Sequence, residues 1–317
     1  MQIDSDAEAI AQQLKANPFL RMDPSKQWIR DRLVGLLSSE TFLPSLSLTV
    51  SRLLELVKNE NATMEEMAVV VQLDAPLAAR CLRVASTARH GGHNLGSIQD
   101  ALFLIGTDEI RRIAFTVGVL DSFKSLRLKV NWRQFWLHSA LVARLSERIA
   151  AGFRDTNGME YLTGLLHDIG KLVIQSSFPM EFEKVVMRAG ERGCGHSAAE
   201  MDILGIDHAR IGAALCQSLK LDRQIVQGVG FHHQAAHPAH TGDPEGDLGF
   251  LACCVSVADT LANMGDVSMG GHCKTAVTLD DQPEWQNLTT FFNCRGLSLN
   301  LKEEISVVTR EMDLLQS

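Results

Sequence analysis

Apolar residues recur at helical spacing along almost the whole chain, and this periodicity constrains the fold more than any other feature. Signals that begin a helix accompany it. Thr63 with Glu66 three residues later forms a capping-box pattern, Asp74 precedes Pro76 as an N-cap precedes a first-turn proline, and Ser97 is a further candidate N-cap. No stretch alternates apolar and polar residues as a half-buried strand does. The sequence therefore predicts an all-α protein of short helices joined by tight turns.

Composition and charge narrow the class of protein. The 317 residues are 45% hydrophobic, which is enough for two domains or for one large helical domain with an accessory layer. The formal net charge of -8 argues against a general nucleic-acid-binding surface.

The seven cysteines are odd in number and form no CxxC pair, which suits a reducing compartment better than a disulfide framework. The acidic N-terminus does not resemble a signal peptide, and no apolar run reaches membrane-spanning length. We expect a cytoplasmic protein that binds neither nucleic acid nor membrane.

The stretch from Gly164 to Leu172 carries the candidate chemistry. An apolar helix there ends at an adjacent imidazole and carboxylate, His167 and Asp168, followed by a glycine and Lys171. Neighbouring side chains diverge by about 100° on a helix, so both can reach one metal only near a helix end. Other segments that are predicted to be helical carry further candidate ligands: His138, His208, His232, His233 and Asp259. Imidazole and carboxylate are usual ligands of borderline divalent or ferrous ions, so the sequence predicts a metal centre.

Two parts of the chain resemble known families. The segment from His138 to Asp259 resembles the HD superfamily of metal-dependent phosphohydrolases, which is named for the adjacent His and Asp. The preceding segment is similar to the HDOD family through Leu43-Pro44, Asp74-Ala75-Pro76-Leu77, the run from Arg80 to Ser86 and the run from Ala101 to Gly106. Together these resemblances cover roughly residues 40 to 265. They imply a multi-helix HDOD architecture with an HD-like core.

The expected organisation has four parts. An N-terminal helical cap over residues 1–40 packs on the main body, and residues 41–127 form the N-terminal helical layer of the HDOD domain. Residues 128–265 form the HD-like metal-binding core, and residues 266–317 form a C-terminal helical extension.

The resemblance also implies a ligand set. The positions that match the basic HD ligands are His138, His167, Asp168 and Asp259. The positions that resemble the histidines of a second metal in HD-GYP enzymes, which cleave cyclic di-GMP, are His208, His232 and His233. Two departures stand against that activity: Gln134 replaces a carboxylate of some trimetal members, and no GYP signature follows the double histidine. The implied cofactor is one or two divalent transition-metal ions, namely Fe, Mn, Ni or Zn.

Asp168 and Lys171 are the candidate catalytic residues. Asp168 could bridge two metals, and Lys171 matches the HD-GYP lysine that would act as a point charge on a phosphate oxygen. Two functions compete. One is a bacterial signal-transduction or regulatory module with protein partners, as HDOD proteins usually are, in which the metal serves structure or sensing. The other is a metal-dependent phosphohydrolase of a nucleotide or cyclic dinucleotide. An open position at the metal would distinguish a catalytic site from a structural one.

Structural alternatives accompany each of these residues. His232 and His233 could end a helix, where imidazolium suits the helix dipole, and Lys171 could act likewise after a helix-ending glycine. Cys253 and Cys254 lie in an apolar run and are expected in the core. Surface or capped positions are expected for His90, His93, His196 and His272, and no role is assigned to His237 and His240. Solvated helix faces or ion pairs are expected for Arg80, Arg83, Arg111 and Arg112.

Overall fold

The computed structural model of the chain describes residues 11–39, 52–53, 55–56, 62–88, 97–123, 131–235, 247–267 and 278–316. The α-helices within these ranges are, in chain order, α1 (Gln27–Leu37), α2 (Met64–Gln72), α3 (Ala75–Ala88), α4 (Ile98–Phe123), α5 (Trp132–Ala151), α6 (Met159–Leu166), α7 (Ile169–Ser177), α8 (Pro179–Arg192), α9 (His196–Leu204), α10 (His208–Ser218), α11 (Arg223–Phe231), α12 (Asp247–Met264), α13 (Pro283–Phe291) and α14 (Leu301–Gln316). The described ranges contain no strand, and the predicted all-α class is confirmed. None of their helices is both long enough and apolar enough to cross a bilayer.

The chain divides into two compact units. Unit 1 comprises residues 1–43 and 127–304, and unit 2 comprises residues 44–126 and 305–317. Unit 1 is therefore discontinuous in sequence. The four-part division that the sequence suggests stays a prediction.

The helix boundaries of unit 2 follow local signals in the sequence. Thr63 accepts a hydrogen bond from the Glu66 backbone, and the Glu66 carboxylate accepts one from the Thr63 backbone, which completes the predicted capping box. Asp74 caps α3 by accepting from the Leu77 N–H. Helix α4 is kinked at Gly106, where φ is +78°, a conformation that glycine adopts without a Cβ penalty. The predicted N-caps at Thr63, Asp74 and Ser97 are confirmed.

In unit 1 the N-terminal residues that the structure describes pack on the helical body. Phe19 lies 5.4 Å from the Phe231 ring, measured between centroids, and Asn17 donates a hydrogen bond to Gln217. Further along, the Trp28 ring meets Phe178 edge-on. These contacts place the N-terminal segment against α10, α11 and the end of α7.

Two glycines let the helices of unit 1 approach closely. A Cβ on Gly164 of α6 would lie 2.6 Å from the Cα of Ala143 on α5. A Cβ on Gly170 of α7 would lie 2.0 Å from the carbonyl oxygen of His208, at the start of α10. Both distances are shorter than any real contact of a Cβ atom, so only glycine fits at either position. These approaches bring α5 and α10 towards the His167-Asp168 dipeptide.

Candidate metal centre

His167 and Asp168 lie at the junction of two helices, because α6 ends at Leu166 and α7 begins at Ile169. This is the helix-end position that the sequence predicts for them. Gly170 is not a turn residue, however, because it lies inside the first turn of α7. Lys171 therefore belongs to the start of α7, and the alternative that placed it after a helix-ending glycine is wrong. Both His167 and Asp168 are buried.

The first cluster consists of His138 from α5, His167, and Asp259 from α12. One ligand atom from each of the three lies within 4.8 Å of the others. The Nε2 atom of His138 is 3.2 Å from Oδ1 of Asp259 and 3.7 Å from Oδ2 of Asp168. The Nε2 atom of His167 is 3.5 Å from Oδ2 of Asp168 and 3.9 Å from Oδ1 of Asp259.

The second cluster consists of His208 at the start of α10 and of His232 and His233 at the end of α11. Its three ligand atoms also lie within 4.8 Å of one another. The Nε2 atoms of His208 and His233 are 2.9 Å apart, and Nε2 of His208 is 3.1 Å from Oδ1 of Asp168. His208 and His232 are buried, whereas His233 is half-buried. All seven sequence-predicted ligands therefore meet around Asp168.

Asp168 faces both clusters. Its Oδ2 atom is directed to the first cluster and its Oδ1 atom to the second. The Lys171 ammonium donates a 2.7 Å hydrogen bond to Oδ2. Burial alone would raise the pKa of Asp168, but Lys171, His167 and His208 outweigh it and hold that pKa well below its usual range. The carboxylate is thus ionised and central.

Three of the histidines are oriented in the same way. In each, Nδ1 lies 2.7 to 2.8 Å from a backbone carbonyl oxygen, which can only accept, so Nδ1 carries the proton. The pairs are His138 with Val267, His167 with Gly164, and His232 with Val229. Burial lowers the pKa of His167 to about 4 and that of His232 to about 3. Within the described part of the chain, Nε2 of His167 and Nε2 of His232 lack hydrogen-bond partners.

These features fit a metal ion. A neutral imidazole with Nδ1–H fixed on a carbonyl presents the Nε2 lone pair, which is the form that binds metals. Buried acceptors without partners are costly in a folded protein, and a cation at the cluster would satisfy both Nε2 atoms. The lowered pKa also counts against the alternative in which His232, at the end of α11, serves as an imidazolium.

Sequence reasoning missed Glu200. The backbone N–H and Nδ1 of His208 both lie within hydrogen-bonding distance of Glu200 Oε2, at 2.7 and 2.6 Å. Burial opposes protonation of His208, but Glu200 and Asp168 override it and raise the pKa of His208 to about 9 in the absence of metal. No local signal could have paired two residues eight positions apart, because the pairing depends on the turn between α9 and α10.

The expectation for His196 needs correction. A surface or capped position was expected, but the side chain is buried, and in the described part of the chain its Nδ1 has no hydrogen-bond partner. Burial lowers the pKa of His196 to about 4. It lies four residues before Glu200, on the same face of α9.

The cysteines and arginines that were assigned structural roles can be compared with the structure where it describes them. Cys253 and Cys254 are buried, as predicted for core residues. Arg111 pairs with Asp108 and Arg112 with Glu109, as predicted for ion-paired arginines. Residues that lie outside the described ranges are His90, His93, His237, His240 and His272, together with most of the predicted loop at 235–249.

The fold and the clusters define a class: an all-α protein in which histidines and aspartates from several helices form two mostly buried groups. The family model of the HDOD domain matches residues 43–235, which is more than half of the chain. The chain belongs to the HDOD family. Asp259 of the first cluster lies outside the matched residues, as does the N-terminal segment that packs on α11.

Individual proteins also resemble this chain, and one of them is named as an HDOD domain protein. A Treponema pallidum (strain Nichols) protein, named only as uncharacterized, is 27% identical over 199 residues, which are 62% of this chain and 38% of that protein. The chain thus spans well under half of the length of this curated relative. An HDOD domain protein with unknown function from Geobacter sulfurreducens has a TM-score of 0.72 at 24% identity, over 92% of this chain and 97% of its own. A structure from Shewanella amazonensis SB2B, provisionally named a phosphohydrolase, has a TM-score of 0.62 at 23% identity. The match covers 90% of this chain and 97% of that protein's chain. At these identities the likeness is one of fold.

Proposed function

We propose that this chain is an HDOD-type signal-transduction or regulatory protein whose HD-like core holds two divalent transition-metal ions. The observation that carries the proposal is the position of Asp168, with one carboxylate oxygen towards each of two clusters of potential ligands. Each cluster supplies three side chains of its own, and Asp168 is the fourth for both. Four protein ligands per ion is a common number for transition-metal sites in proteins.

The donor set narrows the choice of metal. Imidazole nitrogens and carboxylate oxygens suit Fe, Mn, Ni or Zn, and no cysteine belongs to either cluster. His138, His167, Asp259 and Asp168 would hold one ion. His208, His232, His233 and Asp168 would hold the other. The carbonyls and Glu200 behind the imidazoles are the outer partners that metal-ligating histidines require.

A cytoplasmic location and protein partners belong to the same proposal. Six cysteines in the described part of the chain are free thiols, four of them buried, which suits a reducing compartment. The HDOD habit of acting through partners motivates the search for a protein that binds this chain.

A metal-dependent phosphohydrolase is the second candidate, favoured by Asp168 and Lys171 together. Two ions sharing one carboxylate would supply Lewis-acid stabilisation of charge that develops on phosphoryl oxygens. Lys171 holds Asp168 ionised and keeps a positive charge beside the centre, where a phosphate would be bound. His233, the half-buried member, marks the side of the second cluster that solvent reaches. The substrate class would be a nucleotide or cyclic dinucleotide phosphodiester.

Elemental analysis of untagged protein purified without chelator tests the metal centre. We expect about two equivalents of transition metal in the wild type and about one in both His167→Ala and His208→Ala. His240→Ala, which changes a histidine with no assigned role, should match the wild type. Absence of metal from the wild type, even after anaerobic incubation with ferrous iron or manganese, would leave the histidines as structure alone.

The hydrolase candidate has a separate test. Metal-loaded wild type and His167→Ala are incubated with cyclic dinucleotides and with simple phosphodiesters in the presence of manganese or ferrous iron. Turnover by the wild type that the variant lacks supports hydrolysis. If the wild type is shown to hold metal and yet is as inactive as His167→Ala, hydrolysis is rejected. The proposal of a regulatory metal centre would then remain.

A further inference from the structure

The two clusters differ in the charge of their own side chains. The first has a carboxylate, Asp259, beside its two histidines. The second is made of three neutral-type ligands, His208, His232 and His233, and shares only Asp168 with the first. A dication at the second cluster would therefore meet less negative charge than one at the first, in a buried setting where unbalanced charge is costly.

Glu200 is buried directly behind the second cluster. Its side chain has no solvent exposure, and its Oε2 atom accepts from both the backbone N–H and Nδ1 of His208. Its other oxygen, Oε1, has no hydrogen-bond partner among the described residues. The carboxylate therefore contacts His208 through one oxygen and has its second oxygen free of hydrogen bonds to the described residues.

The local fold holds this contact in place. Gly205, with φ of +74°, ends α9, and Asp207 caps α10 by accepting from the Arg210 N–H. Ser197, in the first turn of α9, donates to the same Asp207 side chain. This short turn sets Glu200 beside His208 independently of any ion.

We propose that Glu200 is a positioning residue of the second cluster and supplies, one imidazole removed, the negative charge that Asp259 supplies directly to the first. Its carboxylate fixes His208 with Nδ1 protonated and Nε2 directed at the cluster, and it makes Nε2 a stronger donor to a cation. The inference rests on the proposed binuclear centre. It makes the two ion positions chemically distinct, and Glu200 determines the affinity of one of them.

Cobalt(II) titration of metal-stripped full-length protein tests this assignment, because visible absorption reports on the ligand environment of each bound ion. The compared proteins are the wild type, Glu200→Gln and Glu160→Gln. Glu160 is a matched control, since it is also a buried glutamate, but it accepts from the Asn157 backbone and pairs with Arg154. We expect Glu200→Gln to bind the ion at the first cluster with wild-type affinity. It should bind the ion at the second cluster about 10- to 100-fold more weakly, and the absorption spectrum of that ion should change. Glu160→Gln should keep both affinities and both spectra.

The remaining outcomes are also decisive. Two ions in the wild type with equal affinities in Glu200→Gln would overturn the role of Glu200 and leave the binuclear centre intact. Fewer than two ions in the wild type would overturn the proposed centre and this inference with it. Circular dichroism establishes that each variant is folded. Should Glu200→Gln fail to fold, Glu200→Asp decides: its charge is retained but withdrawn by one methylene, so the second ion must bind several-fold more weakly, and wild-type affinity would reject the proposal.

Discussion

Each histidine of the two clusters that donates through Nδ1 to a carbonyl has only one nitrogen left for chemistry. For His167 and His232 that nitrogen is buried, and without an ion it has no hydrogen-bond partner in the described part of the chain. A buried acceptor left in this state costs about 1–3 kcal/mol of stability. The cost is a reason to expect that the metal-free protein is less stable than the loaded one, since a ligand that binds only the folded state stabilises it.

The metal-free protein should have a maximum of stability near pH 6.5. His167 and His232 have folded pKa values of about 4 and about 3, below the unfolded value, so the unfolded state binds more protons as the pH falls from 6.5 and stability is lost. His208 has a folded pKa of about 9, so its contribution is present below pH 6.5 and is lost as the pH rises towards 9. Urea unfolding of chelator-treated protein across pH 4 to 9 measures both limbs.

A variant separates the two limbs of this profile. His208→Gln should remove most of the loss of unfolding free energy between pH 6.5 and 9 and keep the loss on the acid side. A metal-free wild type whose stability is flat or rises steadily across this range would contradict the assigned protonation states.

Asp168 and Asp259 should differ in their effect on metal content. Asp168→Asn removes a ligand that faces both clusters, so we expect the bound metal to fall from about two equivalents to well below one. Asp259→Asn affects only the first cluster and should leave about one equivalent. Elemental analysis of the two variants, with circular dichroism as a check of folding, gives the comparison. Equal losses would show that Asp168 does not serve both positions.

At the scale of helices, the geometry of the candidate metal centre depends on how closely α7 approaches α10. The carbonyl oxygen of His208 occupies the position that a side chain at residue 170 would need. Because Asp168 and His208 lie on either side of this contact, the same approach that excludes a Cβ sets the 3.1 Å distance between His208 Nε2 and Asp168 Oδ1.

Gly170→Ala should therefore damage stability and metal binding together. Its Cβ would lie 2.0 Å from the His208 carbonyl oxygen and 2.8 Å from the Gly212 nitrogen, so α10 must move away. We expect a loss of at least about 1–3 kcal/mol and weaker binding at the second cluster. Gly190→Ala is the control: nothing lies within 4 Å of its Cβ position in helix α8, so it should be neutral or stabilising by up to about 1 kcal/mol. Urea unfolding and metal titration of Gly170→Ala and Gly190→Ala test this expectation. If the two variants had similar stability and similar metal affinity, the close approach of α7 and α10 would be contradicted.

Helices and their boundaries were predictable from sequence because their determinants are local. Thr63, Asp74 and Ser97 each cap a helix through a backbone N–H three residues ahead, and such spacings are visible in a linear chain. The seven candidate ligands were predicted from their residue types on helical segments and from family resemblance, and the fold brings these side chains together. Glu200 was missed and His196 was misplaced at the surface, because burial and the contact with His208 arise only when α9 and α10 pack.

At the scale of the whole molecule, the matched family region and the compact units do not coincide. The HDOD match begins at residue 43, yet unit 1 includes residues 1–43 together with 127–304. Phe19 packs on Phe231, the residue before His232, and a Cβ on Gly230 would lie 2.4 Å from the Phe19 ring. The N-terminal segment is thus part of the body that holds the second cluster, although it precedes the family match.

Loss of the contact between Phe19 and Phe231 should therefore weaken metal binding at the second cluster. Phe19→Ala removes a buried ring and should cost about 3–5 kcal/mol of unfolding free energy, with a lower affinity for the ion at the second cluster because α11 loses its support. Trp28→Ala, which truncates another N-terminal aromatic that is 52% exposed, should cost much less and leave metal binding unchanged. A chain that begins at residue 43 should show the Phe19→Ala defects in stronger form. If that shortened chain kept the stability and both ions of the full chain, the N-terminal segment would be an appendage, and the family match alone would delimit the functional unit.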